Sequence, residues 1–260
     1  MTKVTYIGHS TLFIEMDGLR ILTDPLLKRY VGHLRRQVPD PDPVVQDADV
    51  VLISHLHGDH LDLSSLQLLG REKRLIVPRG AGTYLRVKRF KHVEEIAEGE
   101  SIDLGGVTII ATRADHAGRK LPWIPHVQEL GFLIDGSHEI YFAGDTDLFD
   151  EMADIGQAID LALLPVWGWG PTLGPGHMDP KHAAHSLSHI KPKAAVPIHW
   201  GTYCPIVVEW FRPKFLSQPP VEFADQASEI APDVTVKILD PGESLEVEEL
   251  IREQRGSPTR

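Results

Sequence analysis

The chain has 260 residues and a formal net charge of −11, with 24% of its residues charged. That balance argues against broad nucleic-acid binding, which needs a basic surface to neutralise phosphates. No apolar run approaches the ~20 residues that span a bilayer, and the single cysteine, Cys204, excludes an intrachain disulfide and suits a reducing cytoplasm. A buried, inert thiol is the expectation for it.

Strand-like Lys3-Val4-Thr5-Tyr6-Ile7 comes first, and no secretory leader is read before it. Residues 11–16 and 19–23 alternate about Asp17-Gly18, a hairpin signal. Asp24 closes the second of these strands. Its place predicts a residue behind a site, orienting a ligand histidine or its loop, with a plain turn residue before Pro25 as the alternative. Residues 26–47 read as a long irregular insert, Pro-rich at Pro39-Asp40-Pro41-Asp42-Pro43, of a length often kept for function. Lys28, Arg29, Arg35 and Arg36 surround Tyr30 and His33 there. They form either a solvated charged loop or a patch that gathers a phosphate or meets an anionic membrane surface.

The apolar run Asp49-Val50-Val51-Leu52-Ile53 reads as a buried strand, and His55, His57, Asp59 and His60 follow within six positions. Imidazoles and a carboxylate packed this tightly can hold two cations about 3.5–4 Å apart. Three further strand-like runs end in a ligand type. His116 follows residues 107–112, Asp145 follows residues 140–144, and His199 follows residues 194–198. Alone, His116 or His199 would more often be a satisfied buried histidine; the recurrence beside the cluster favours ligation. The assembly expected is one metal on His55, His57 and His116, a second on Asp59, His60 and His199, and Asp145 bridging them through its two oxygens. Zinc is the first choice for such a set, with manganese or iron accepted because the carboxylates soften the preference. Two such cations would make a metal-bridging hydroxide available at neutral pH, which Asp59 would orient and deprotonate while ligating.

Helices are expected over 63–69, 83–90, 147–156 and 180–190, and paired strands over 129–135 and 137–143 about Gly136. The Gly/Pro/Trp-rich loop Val166 to Gly176 leads into His177, just before the helix that starts near Asp179-Pro180. A histidine there could donate to a phosphate oxygen or protonate a leaving group; bracing its own loop is the alternative. Leu121-Pro122-Trp123-Ile124-Pro125 and the pair Trp167 and Trp169 could line an apolar pocket or simply pack. His182, His185 and His189 share one side of the following helix, but no carboxylate or cysteine completes a site, so a solvated face is expected. One domain over 1–251 and a frayed polar tail over 252–260 complete the reading.

With these motifs in this order, the chain resembles the metallo-β-lactamase superfamily from about Val4 to about Ile238. Gly8-His9-Ser10-Thr11, Leu22-Thr23-Asp24-Pro25, His177-Met178-Asp179-Pro180 and Ile198-His199-Trp200-Gly201-Thr202 look like one branch of it. That branch contains N-acyl-phosphatidylethanolamine phospholipase D and the bacterial ascorbate-6-phosphate lactonase; the last motif and Ile14-Glu15-Met16-Asp17 lean toward the phospholipase. The resemblance implies an α/β fold: an αββα sandwich of two mixed sheets flanked by helices, with a dinuclear site along one edge. It also implies that His177 faces substrate. Diiron oxidases of the superfamily tend to carry glutamate where His57 stands, so redox chemistry is not expected.

The expected function is a dinuclear metal-dependent hydrolase acting on a phosphodiester, with an anionic small-molecule or lipid-like substrate. Lactone, ester or thioester hydrolysis at the same site is the alternative. A noncatalytic metal-binding sensor or binding module is the reading of another class, against which the complete ligand set argues. A cytoplasmic location is expected, no nucleic-acid partner is, and peripheral membrane contact is left open.

Overall fold

A computed structural model of the chain describes residues 1–116, 125–156, 158–211 and 213–256. Asp17 and Gly18 both take positive φ, 51° and 82°, in a two-residue turn of the kind that follows strand twist. The turn pairs Thr11–Met16 with Leu19–Thr23, Met16 opposite Leu19. This hairpin is central to a seven-stranded sheet ordered Ser244–Glu246, Lys3–Gly8, Thr11–Met16, Leu19–Thr23, Val50–Leu52, Arg74–Pro78, His92–Ile96. A second seven-stranded sheet is ordered Thr235–Val236, Ala194–Ile198, Leu161–Pro165, Glu139–Phe142, Leu130–Asp135, Thr108–Arg113, Ser101–Asp103. Each sheet is antiparallel on one side and parallel on the other, so both are mixed.

The inner faces meet in one buried cluster, where Leu12, Ile14, Ile21 and Leu52 join Ile109, Phe132, Ile140 and Leu163. Each side chain buried this way contributes about 1.5–3 kcal/mol, which makes the sandwich a stiff mount for the residues at its strand ends. Leu66 and Leu69 of the helix Leu63–Leu69, with Leu85 of the helix Gly82–Val87, cover Val51, Leu75 and Val77 on the outer side of the first sheet. The helices Pro180–Ile190 and Pro219–Ile230 pack on each other and bring Ala183, Leu187, Phe223 and Ala227 to the core. The architecture is the expected αββα sandwich. No helix among the described residues is long and apolar enough to cross a membrane.

Two local expectations fail, each for a tertiary reason. The insert is not irregular throughout: Tyr30–Val31 pairs with Leu34–Arg36, which pairs in turn with Tyr203–Pro205 in a small third sheet, and Pro43–Asp47 forms a 3-10 turn. Arg36 anchors it from inside, only 5% exposed, donating to the carbonyls of Ile7 (2.6 Å), Pro39 (2.8 Å) and Leu26 (3.3 Å). The helix expected over 147–156 shrinks to the 3-10 turn Asp150–Asp154, because neighbouring loops claim the backbone before it. Asp147 N donates to Asp115 O and Met178 N to Thr146 O. At the end of the chain, a helix over Val247–Gly256 extends into the stretch expected to fray.

Candidate metal centre

The ligand types converge where the carboxyl ends of both sheets meet. His55 to His60 follow Val50–Leu52, His116 follows Thr108–Arg113, Asp145 follows Glu139–Phe142, and His199 follows Ala194–Ile198. Gly144 lets the sheets approach here: its φ is 63°, and a Cβ on it would meet Leu130 O and Ser54 Cβ at 2.9 Å. Two groups form. The ligand atoms of His55, His57 and His116 lie within 4.8 Å of one another, and so do those of His9, Asp59, His60 and His199. Asp145 lies between: Oδ2 is 3.1 Å from His60 Nε2, Oδ1 is 3.2 Å from His199 Nε2, and the residue also groups with His116 and His177.

The outer nitrogens determine what the inner ones can do. A neutral imidazole carries one N–H, and the partner on one side fixes the tautomer. His116 Nδ1 donates to Gly176 O (2.6 Å), His199 Nδ1 to Trp167 O (2.9 Å) and His60 Nδ1 to Asp24 Oδ2 (2.7 Å). His55 Nδ1 faces Ser54 Oγ at 3.0 Å, and that hydroxyl gives its own proton to Asp24 Oδ2 at 2.5 Å. The Nε2 lone pairs of His55, His116 and His199 therefore point inward, and that of His60 joins them once its proton is displaced. His57 turns its Nδ1 in, 2.9 Å from His55 Nε2 and 3.0 Å from His116 Nε2. Asp145 Oδ1 is buried with no donor although His199 Nε2 is its neighbour. Lone pairs crowded this closely repel one another unless a cation stands among them. The donor set fits metal.

Electrostatics agree with that reading. Burial, then the neighbouring His116 and His60, push His57 down to about 4. Burial also takes His199 to about 3 and His55 well below its usual value, so these three imidazoles are neutral at pH 7, as a metal donor must be. His60 goes the other way: burial lowers it, but Asp145 and Asp59 and the bonds to Asp145 and Asp24 outweigh burial and hold it well above. Without a cation, a proton on His60 takes the cation's place between the carboxylates. Burial raises Asp59 and Asp145, yet the surrounding histidines hold both well below the usual carboxylate range. Asp24, expected behind the site, is there: fully buried, raised by desolvation, accepting from Ser54 N (2.7 Å), Ser54 Oγ and His60.

The remaining candidates divide. His177 stands at the rim, its side chain 21% exposed, with Nε2 3.4 Å from Asp145 Oδ2 and Nδ1 3.2 Å from Gly174 O. Burial lowers it, but the bond to Asp145 leaves it raised overall. Trp167 is packed against the core, and Trp169 sits edge-on to His33, 5.1 Å between centroids. Residues 121–124 of the apolar loop lie outside the described residues. Arg36 points inward and Arg35 is paired with Glu209 at 2.9 Å, so Arg29 is the exposed arginine of the basic insert. His182 pairs with Asp147 at 2.8 Å, and none of His182, His185 and His189 joins a metal-ligand group among the described residues. His9 is the residue that sequence reasoning left without a role: its Nε2 is 3.1 Å from Asp59 Oδ2. The signal for it was the Gly8-His9 motif, with nothing local to say what it touches.

Residues 19–200 match the family described as Beta-lactamase superfamily domain. The chain belongs to this superfamily. One relative, a UPF0173 metal-dependent hydrolase of Methanopyrus kandleri, is 33% identical over 251 residues, covering 94% of this chain and 99% of the relative. Among solved structures, Igni18, a novel metallo hydrolase from the hyperthermophilic archaeon Ignicoccus hospitalis, aligns with TM-score 0.70 and 25% identity over 94% of this chain and 97% of that one. The β-lactamase-superfamily fold also recurs in the isothiocyanate hydrolase from Delia radicum gut bacteria, at TM-score 0.74 and 20% identity over 94% and 98% of the two chains.

Proposed function

We propose that this chain is a metal-dependent hydrolase whose site holds two divalent cations, zinc first among them, and cleaves a phosphodiester. One observation carries the reading: two groups of inward lone pairs, His55/His57/His116 and Asp59/His60/His199, with Asp145 between them. Cations bound there supply hydroxide at neutral pH and polarise the scissile oxygen. The chain's own residues do the rest. Asp59 Oδ2, 3.8 Å from both His60 Nε2 and His199 Nε2, orients the attacking water and accepts its proton. The carbonyls of Gly176 and Trp167 and the Asp24 carboxylate hold the imidazole planes in place. His177 stands where a substrate oxygen can take a hydrogen bond from it, which favours a phosphoryl group with its several charged oxygens over a single carbonyl oxyanion.

The test compares a chromogenic phosphodiester with a lactone, in wild type and His177→Ala, with metal content measured on the same preparations. His177→Ala is expected to lower diester turnover by roughly 10²–10⁴, to lower lactone turnover less, and to leave metal content unchanged. Equal losses on both substrates defeat the phosphate-directed role, and lost metal makes His177 a ligand. Lactone turnover well above diester turnover in the wild type would turn the assignment to acyl chemistry.

A further inference from the structure

Two segments far apart in sequence interlock beside the second ligand group. His9 N donates to Thr202 Oγ1 at 2.7 Å, and His9 O accepts from His199 N at 2.8 Å. Both histidines have left-handed backbones, with φ of 58° and 63°. That conformation is costly for a non-glycine residue, so the reciprocal bonds have to hold it. Gly8 has φ of 124°, and a Cβ there would strike the Thr202 side chain at 2.7 Å.

The clamp fixes where the His9 ring goes. The residue is 1% exposed, and its ring lies against that of His199 with centroids 3.9 Å apart. Its Nδ1 is buried without a partner, while Nε2 meets Asp59 Oδ2 at 3.1 Å. Among the described residues this is the hydrogen bond that the Asp59 side chain accepts. The oxygen it reaches is the one facing His60 and His199, at 3.8 Å from each Nε2. Asp59 is 16% exposed, so without that bond its carboxylate is free to swing toward solvent.

We propose that His9 is a positioning residue: its Nε2–H aims Asp59 Oδ2 at the second ligand group and thereby sets the affinity for the second cation. This rests on the dinuclear reading above. It extends to Asp59 the service that Asp24 gives His60, since a bond from behind fixes a ligand that would otherwise have to be ordered by the metal.

Two substitutions separate this role from a backbone clamp. The amide nitrogen of His9→Gln stands near the place of Nε2 and can donate to Asp59. That of His9→Asn stands near Nδ1 and falls short of Asp59, although asparagine accepts positive φ more readily. Each metal-free chain is titrated with cobalt(II), followed by visible absorption and calorimetry, with thermal melting recorded alongside. His9→Asn is expected to weaken one of two binding steps by about 10–100-fold and to leave the other step and the melting temperature near wild type. His9→Gln should recover most of the lost affinity. Wild-type binding by His9→Asn at both steps overturns the inference, and so does a His9→Gln chain as impaired as His9→Asn. A wild-type chain that takes one cation overturns the dinuclear reading itself, and the second-cation role of His9 with it.

Discussion

The two ligand groups are made of similar residues and held in opposite ways. His55 and His116 lean on neutral partners, Ser54 Oγ and Gly176 O, and His57 Nε2 is buried with none. His60 leans on the Asp24 carboxylate, and Asp59 and Asp145 press on it from the other side. The consequence is visible in the imidazoles: His57 falls to about 4 while His60 rises well above its usual value. His60 is fully buried and His57 only partly, so burial alone would lower His60 more, and its rise comes from charge. A carboxylate about 4 Å away is worth about 4 kcal/mol to a unit positive charge near a protein surface, and more for a divalent one. The second group should therefore hold its cation more tightly, and the first group should be the one that loads last and empties first.

The sharpest way to break that ranking is to delete one imidazole from each group. His57→Ala and His199→Ala should each abolish hydrolysis and lower metal content by about one cation per chain, since each removes a ligand that nothing nearby replaces. They should differ in what remains. The His57→Ala chain keeps the cation of the carboxylate-rich group and resists a chelator, whereas the His199→Ala chain surrenders its ion readily. Elemental analysis across a chelator series gives the answer. The reverse order would mean that nitrogen donors, not charge, rank the two positions.

A smaller effect sharpens the same contrast. Asp24 Oδ2 accepts from both His60 Nδ1 and Ser54 Oγ, so one buried carboxylate orients His60 directly and His55 through a hydroxyl. Asp24→Asn keeps the size and removes the charge. Metal affinity should fall by about 10–100-fold, the usual cost of losing an outer partner, and more at the second position than at the first. Calorimetric titration resolves the two steps; an equal fall at both would make Asp24 a brace for the whole loop.

What was legible in the sequence was local. The Asp17-Gly18 hairpin, the strand ahead of His55, and the repeated run of a buried strand ending in a ligand type are all patterns within a dozen residues. Asp24 could be placed because it ends a strand. What was not legible depends on partners far along the chain. His9 meets Asp59 across 50 positions and Thr202 across 193. The insert looks structureless until Leu34–Arg36 finds Tyr203–Pro205, and no period in 26–47 announces Arg36 as a buried anchor. Residues 147–156 have helical character, but Asp115 and Met178 take up the backbone groups there.

The same asymmetry predicts how protons leave as metal enters. At pH 7 His57, with its value at about 4, and His199, at about 3, are already neutral, and His55 lies well below its usual value. None of these has a proton to lose. Asp59 and Asp145, held low, are already ionised. His60 is the exception, raised by Asp145 and Asp59 against its burial, and it holds a proton that a cation must displace. Loading the metal-free chain at pH 7 should therefore release the His60 proton, which belongs to the second group. Apparent affinity at the second group then rises with pH below the His60 value and levels off above it. At the first group, His57 begins to protonate only as the pH falls toward about 4. Calorimetric titrations in buffers of different ionisation enthalpy count the protons step by step. Release of three or more would show that the buried imidazoles are charged before metal arrives, and the contrast between the two groups would then have no electrostatic basis.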